Sequence, residues 1–432
     1  MMPDPLLPAA STPASDDCAC HGPQGPEQTI GSLLARLLPG LSAVEGNALC
    51  PLRQARGRVL AEDLVTDQPI PSFRRSAMDG YALRQEDCPD GAASLSLPVR
   101  GRVAAGDSGL GLPDGPGAVR IFTGAALPPD CDRVVMQEDC DSDGSSVLIR
   151  RIPAAGANVR LPGDDLAAGS VALTAGTRLD ARHIACAASL GLSHVPVRRR
   201  LRVAVLSTGS ELTEPGQPLP PGAIYNSNRF LLATRLEDAG FEVIDLPAVS
   251  DDPAQVQAAL RAAAACDAVI TSGGVSVGEE DHVKGAVLAV GGRIDHWRLA
   301  IKPGKPVAVG ALPGPEGQET LFLGLPGNPN AVFVTLMLIG LPLLRALAGT
   351  PYRPPLSFPV RLTEGFRRKT GREEYVSVTL HPGPDGIPLA SRSGHGSSAQ
   401  QSALVAADAL MIVPAACGQA DSGMVFPALP IA

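Results

Sequence analysis

Between residues 201 and 290, short apolar runs alternate with helical stretches, and this alternation restricts the fold more than any other feature of the chain. Leu201 to Leu206, Phe241 to Leu246 and Ala268 to Thr271 are brief, apolar and partly β-branched. Such runs suit strands covered on both faces. Arg229 to Ala239 reads as a helix ending at Gly240, and Pro253 to Ala265 as a second one entered through a capping aspartate and a proline at its start. Strand, helix and strand in succession predict a parallel sheet, wound right-handed, with helices on both faces. Ligands of such sheets bind beyond the carboxyl ends of the strands.

The loops leaving those ends carry the chemistry. Thr208-Gly209-Ser210-Glu211 follows the first strand, and Ser272-Gly273-Gly274-Val275-Ser276 follows the third. Glycine removes Cβ atoms where the backbone must turn, so that N–H groups and hydroxyls approach an anion closely. Glu279, Glu280, Asp281 and Lys284 come next. Carboxylates and a lysine beside such a loop suggest an anionic ligand brought in with a divalent cation. Two further loops join the set. Ile301-Lys302-Pro303-Gly304-Lys305-Pro306 precedes a strand at Val307 to Val309. Leu321 to Leu323 feeds Gly324-Leu325-Pro326-Gly327-Asn328-Pro329, where an apolar helix begins whose first-turn N–H groups suit an anion.

Lysine placement sharpens the argument. The chain holds four lysines, Lys284, Lys302, Lys305 and Lys369, and arginine supplies the rest of its 36 basic residues. Three of the four fall between 284 and 305, where a compact ammonium has a specific use. The formal net charge of -8 argues against a broad basic nucleic-acid face. It does not exclude an anionic substrate, because distant surface charge is screened over about 8 Å at physiological ionic strength.

The flanks read as smaller domains. Residues 1 to 28 are proline-rich and aperiodic, and disorder is expected there. Ile30, Leu33, Leu34, Leu37 and Leu38 trace an amphipathic helix stopped by Pro39-Gly40. Val99 to Val103, Ala118 to Phe122 and Val134 to Met136 alternate with turns, as in a small β domain, while Asp180 caps a helix running to Leu190. After Gly349-Thr350-Pro351, strands are expected at Val360 to Leu362, Tyr375 to Leu380 and Ala409 to Val413. The loop at Gly394 to Ser398 shows no specific chemistry. The expected architecture is therefore a multidomain α/β plus β chain. A central three-layer α/β/α unit with a mostly parallel sheet (199–347) is joined by an inserted small β domain (71–154) and a C-terminal β-barrel-like domain (348–432). Segments 29–70 and 155–198 form an N-terminal helical and linker domain.

Nine cysteines without a C-x-x-C pair fit reduced thiols and a cytoplasmic protein. Cys18, Cys20 and His21 lie in the proline-rich tail without a second ligand pair. The first basic residue is Arg36, so the positive region of a secretory signal is missing. The apolar run from Ala331 to Leu344, about 14 residues, is expected to be a core helix rather than a membrane span.

In order along the chain, five motifs resemble those of the molybdopterin molybdotransferases, the MoeA-type enzymes of molybdenum cofactor synthesis, of which the C-terminal part of gephyrin is an animal relative. They are Ser76-Ala77-Met78-Asp79-Gly80-Tyr81-Ala82, Ser207 to Leu212, Thr271 to Gly278, Ile301 to Pro306 and Leu325 to Pro329. The resemblance spans about residues 30 to 415. It implies an elongated homodimer, with the 29–70 and 155–198 segments in dimerisation, that inserts molybdate into the dithiolene of adenylylated molybdopterin with Mg2+ present and releases AMP. It implies catalytic roles for Asp79, Glu211, Asp281, Lys302 and Lys305, with Glu211, Asp281 and Asp251 or Asp252 at the metal. Substrate contacts follow at Thr123, Asp165, Thr208, Gly209, Ser210, Ser272, Gly273, Gly274, Ser276, Pro326, Gly327, Asn328 and Pro329. Asp79 and Thr123 would come from the neighbouring subunit. Other cofactor-synthesis proteins and recipient molybdoenzymes are the further partners, with neither nucleic acid nor membrane. The chain departs from the family at Arg74-Arg75, at Asn330-Ala331 and around Ser397. A Mog-like adenylyltransferase and a non-catalytic carrier or scaffold are the alternatives.

Overall fold

The computed structural model describes residues 28–89, 91–274, 282–394 and 400–431. Of the tail expected to be disordered, only Gln28 falls among them. The chain divides into two compact units. One comprises Glu62–Ala175 with Ala185–Leu192, the other the remainder.

The larger unit is built on a six-stranded sheet. Its strands are β1 (Arg202–Ser207), β2 (Glu242–Asp245), β3 (Ala268–Ser272), β4 (Arg293–Arg298), β5 (Pro306–Pro313) and β6 (Glu319–Leu325), in the order β2-β1-β3-β6-β5-β4. The first four in that order are parallel, and β5 and β4 continue the sheet antiparallel. The alternation at 201–290 thus gives the expected parallel core, while the antiparallel edge lay outside it. All five residues of β3 are buried, as its unbroken apolar run requires.

Side chains alternate between the two faces of the sheet. Val203 and Val205 join Leu232 and Leu236 of α1 (Ser227–Asp238) in one core. Ala204 and Leu206 join Val256 and Leu260 of α2 (Pro253–Ala263), and Val283 and Val287 of α3 (His282–Ala289), in the other. That is the three-layer arrangement. Leu33, Leu34 and Leu37 of the N-terminal helix Ile30–Leu37 also enter the first core.

The helix α4 (Pro329–Leu347) is long and apolar enough by composition to cross a membrane, but 78% of its apolar window is buried inside the protein. It is the core helix that its sequence predicts. A π-helical turn at Leu336–Gly340 interrupts it just before Pro342, whose ring displaces the preceding carbonyl and which lacks an N–H.

Five strands of the C-terminal region, β7 (Phe358–Leu362), β8 (Glu373–His381), β9 (Leu389–Arg392), β10 (Ala409–Val413) and β11 (Val425–Pro430), close into a barrel. Closure comes from β8 pairing with both β9 and β10. Val360, Val378, Met411 and Phe426 fill its interior. Ile301–Lys302 pairs in parallel with Glu373–Glu374, so the lysine loop of the α/β region is tied to the barrel wall.

The smaller unit carries a mixed six-stranded sheet that includes Gly80–Leu83, Leu95–Val103, Ala118–Ile121 and Arg133–Met136. Three of these are the strands its apolar runs predict, two of them starting earlier, at Leu95 and Arg133, and one ending at Ile121 instead of Phe122; Gly80–Leu83 was expected only as a turn and the residues after it.

Candidate functional site

The sheet order reverses between β1 and β3. Their last residues, Ser207 and Ser272, stand side by side in register, with hydroxyl oxygens 3.4 Å apart in a buried environment. This is the switch point at which α/β sheets open a crevice. Three loops leave it. Gly273 and Gly274 both have positive φ, 90° and 64°. A Cβ on Gly274 would lie 2.4 Å from Val283 Cγ2 and 3.0 Å from Thr208 Oγ1, so this tight turn admits only glycine without displacement. Thr208 is 5% exposed, and its hydroxyl is buried without a hydrogen-bond partner among the described residues.

At the end of β1, a Cβ on Gly209 would meet Glu211 Oε2 at 2.6 Å, so the Glu211 carboxylate folds back over the glycine. Ser210 N–H donates to Asp251 Oδ2 at 2.8 Å, and the Asp251 N–H donates to Ser210 Oγ at 3.2 Å. The neighbouring Asp252 has a different occupation. It caps α2, with Oδ1 accepting from Ala254 N at 2.9 Å. Its expected metal role therefore competes with a structural one, whereas Asp251 stays with the loop.

At the end of β6, Asn228 Nδ2 donates to the carbonyl of Gly327 at 2.6 Å, holding the turn that leads into α4. Gly273, Gly274, Lys302, Lys305, Pro326, Gly327 and Asn328 all line one cleft of about 670 Å³. Three of the four loops expected to share a site line this cleft, whereas Thr208, Gly209, Ser210 and Glu211 of the fourth are not among its lining residues, nor is Asp251. A cleft of this size suits a cofactor-sized ligand.

The opposite wall was not legible in advance. Arg372, Glu374, Tyr375, Ser377 and Arg392 of the barrel line the same cleft. Burial and a hydrogen bond to Glu373 push the Tyr375 phenol well above its usual range, leaving it a neutral group. Lys302 is paired: Nζ lies 2.8 Å from Glu374 Oε1. A charged run at the start of a strand, Arg372-Glu373-Glu374, was the available signal, and it resembles an ordinary solvated edge.

Asp79, Thr123 and Asp165 belong to the smaller unit. Asp79 Oδ1 accepts both the Thr123 N–H at 2.8 Å and the Thr123 hydroxyl at 2.7 Å. Those two bonds hold the Asp79 carboxyl below its usual range. Asp165 is exposed, its N–H bonded to the Ile70 carbonyl. Ser276 and Asp281 lie outside the described residues, as does the loop around Ser397.

No group of three His, Cys, Asp or Glu side chains gathers for a metal among the described residues. Magnesium, however, commonly binds through one or two carboxylates plus substrate phosphates. Glu211 and Asp251, both attached to Ser210, are compatible with that mode and not with an all-protein cage. The seven described cysteines are free, as the absence of paired spacing predicts.

A cleft of this size beyond the carboxyl ends of β3 and β6, with two lysines in its lining, defines an α/β protein that binds a cofactor-sized anionic ligand. Residues 204–346 match a family described as "Probable molybdopterin binding domain", residues 27–191 the "MoeA N-terminal region (domain I and II)" and residues 359–431 the "MoeA C-terminal region (domain IV)". A "Molybdopterin molybdenumtransferase" of Haemophilus influenzae is 37% identical over 91% of this chain and 96% of its own length. One of Nostoc is 35% identical over 95% and 92%. A crystal structure titled as a molybdopterin biosynthesis moeA protein from Pyrococcus horikoshii shares the fold with a TM-score of 0.76 at 27% identity, covering 93% of this chain and all of that one. The chain belongs to the molybdopterin molybdenumtransferase family.

Proposed function

We propose that this chain inserts molybdate into the dithiolene of adenylylated molybdopterin and releases AMP. One observation carries the reading. The cleft beyond the ends of β3 and β6 gathers Lys302, Lys305 and the Gly273-Gly274 turn against a barrel wall bearing Arg372 and Arg392. A site for a dianionic oxyanion beside a phosphorylated pterin needs cations on more than one side. Water adds to phosphorus as the phosphoanhydride linking AMP to the pterin phosphate breaks and AMP leaves, and the two dithiolene thiols displace one molybdate oxygen, which departs as water with their two protons while molybdenum keeps its oxidation state. Lys302 and Lys305 orient the oxyanion. The Gly273-Gly274 turn, with the Pro326-Gly327-Asn328 turn that leads into α4, accommodates the phosphate-bearing part.

Mg2+ belongs to the same proposal. Glu211 and Asp251 would hold it with the substrate phosphates, and it would neutralise charge on the departing AMP. Asp79 and Thr123 would complete the site from a second protomer of a homodimer. The finished cofactor then passes in the cytoplasm to recipient molybdoenzymes or other cofactor-synthesis proteins.

The test is AMP release from adenylylated molybdopterin, with and without molybdate and Mg2+. Release that depends on molybdate, with metal on the pterin, supports the reading. Binding of the pterin without release leaves a carrier instead, and ATP consumption with plain molybdopterin points to an adenylyltransferase.

A further inference from the structure

The ion pair between Lys302 and Glu374 crosses from the α/β region to the barrel, and it does not end there. The second oxygen of Glu374 lies 2.7 Å from Arg368 Nε. Arg368 is itself fixed: its remaining guanidinium nitrogens donate to the carbonyls of Pro414, at 2.7 Å, Cys417, at 2.9 Å, and Arg372. The Arg368 side chain is 3% exposed and that of Glu374 10%, whereas Lys302 is 47% exposed at the cleft. A buried carboxylate thus stands between a buried, immobile guanidinium and an accessible ammonium. Backbone pairing reinforces the contact, because Lys302 is directly opposite Glu374 in the parallel pairing with β8.

Two consequences follow from charge and freedom of motion. Arg368, Glu374 and Lys302 together carry one net positive charge, so the carboxylate does not cancel the attraction of this wall for an anion. A half-exposed lysine also samples many rotamers, and fixing it in one of them costs side-chain entropy. Glu374 meets that cost before any ligand arrives.

We propose that Glu374 is a positioning residue for Lys302, held in place by Arg368, and that the barrel thereby sets how tightly the cleft binds molybdate. The inference rests on the reading of this cleft as a molybdate site. It is separable from turnover, because oxyanion binding can be measured without the pterin.

Glu374→Gln decides the matter by the sign of its effect. By Coulomb's law alone, removing a negative charge near the cleft tightens binding of a dianion. Positioning predicts the reverse. The amide offers a single acceptor to two cations and turns its NH2 towards one of them, so Lys302 loses its fixed place. Equilibrium dialysis of molybdate should show about tenfold weaker binding in E374Q, the scale of one charge-assisted hydrogen bond, approaching that of Lys302→Ala. Glu374→Asp keeps the charge on Arg368 but shortens the arm, and should fall between parent and E374Q; it carries the test if E374Q does not fold. Affinity for adenylylated molybdopterin should stay near the parent value. Unchanged or tighter molybdate binding overturns the proposal, as does a parent that binds no molybdate, or an equal loss of both affinities, which marks a collapsed wall. A parent that binds molybdate and releases no AMP defeats the reaction reading and leaves the positioning role standing.

Discussion

Asp251 and Ser210 hold each other reciprocally. The carboxylate takes the Ser210 N–H at 2.8 Å, and the Ser210 hydroxyl takes the Asp251 N–H at 3.2 Å. The loop after β1, with Glu211 on it, is therefore fixed to the loop after β2. Asp252, one residue on, serves the cap of α2. The two aspartates should separate on substitution. Asp251→Ala should lower kcat/KM for AMP release and weaken its Mg2+ dependence while moving Tm little. Asp252→Ala should cost about 1 kcal/mol of stability, the usual loss of an N-cap, with AMP release close to the parent's. Equal activity losses in both variants would remove the distinction.

Gly274 and Gly327 differ in the same way. Gly274 sits at φ 64° with no room for a Cβ, whereas the nearest atom to a Cβ on Gly327 is Gly273 Cα at 3.8 Å. Gly274→Ala should destabilise the fold by about 1–3 kcal/mol, the cost of strained backbone. Gly327→Ala should keep its Tm but intrude into the cleft and raise KM for the pterin. Thermal melts and AMP release on both variants check the pair, and a stable, active G274A would show that the turn relaxes.

Lys302 and Lys305 line the cleft together, but Lys302 is anchored by Glu374. Lys302→Ala should reduce kcat/KM by about ten- to a hundredfold, the range of a lost hydrogen bond to a charged group, 1.5–3 kcal/mol. Because Glu374 then keeps only Arg368, Lys302→Gln should recover stability without recovering rate. Steady-state AMP release across a molybdate series measures this. A K302A enzyme as fast as the parent would exclude the lysine from the chemistry.

The α/β region was legible because its strands are buried on both faces and read as unbroken apolar runs. Ala268 to Thr271 and Leu201 to Leu206 needed no knowledge of their neighbours. The antiparallel edge strand Arg293–Arg298 was not legible. Arg293, Asp295 and Arg298 make it too polar to stand out, and it is recognised only once β5 pairs with it. The glycine and lysine loops were found because their composition is unusual by itself. Glu374 and Arg372 were missed because their meaning depends on the barrel closing and on Lys302 arriving opposite β8. Local pattern reveals loops that bind by their own backbone, and it does not reveal a wall assembled across a chain separation of some seventy residues.

Asp79 offers a test in the smaller unit that needs no substrate. Two hydrogen bonds, donated by the Thr123 hydroxyl and by its N–H to Asp79 Oδ1, hold the carboxyl below the ordinary value. Thr123→Val removes the hydroxyl bond and leaves the N–H, so the Asp79 pKa should rise part of the way back. The linkage has a definite sign. The folded-state value is the lower one, so the contribution of this contact to stability is complete above the ordinary carboxylate range and is lost as pH falls through the depressed value. Carboxyl chemical shifts followed by NMR from neutral pH downwards should place the Asp79 transition below that of ordinary exposed aspartates in the parent and higher in T123V. Coincident transitions in the two proteins would mean that the Thr123 hydroxyl does not stabilise the charged form, and Asp79 would then owe its orientation to the backbone N–H alone.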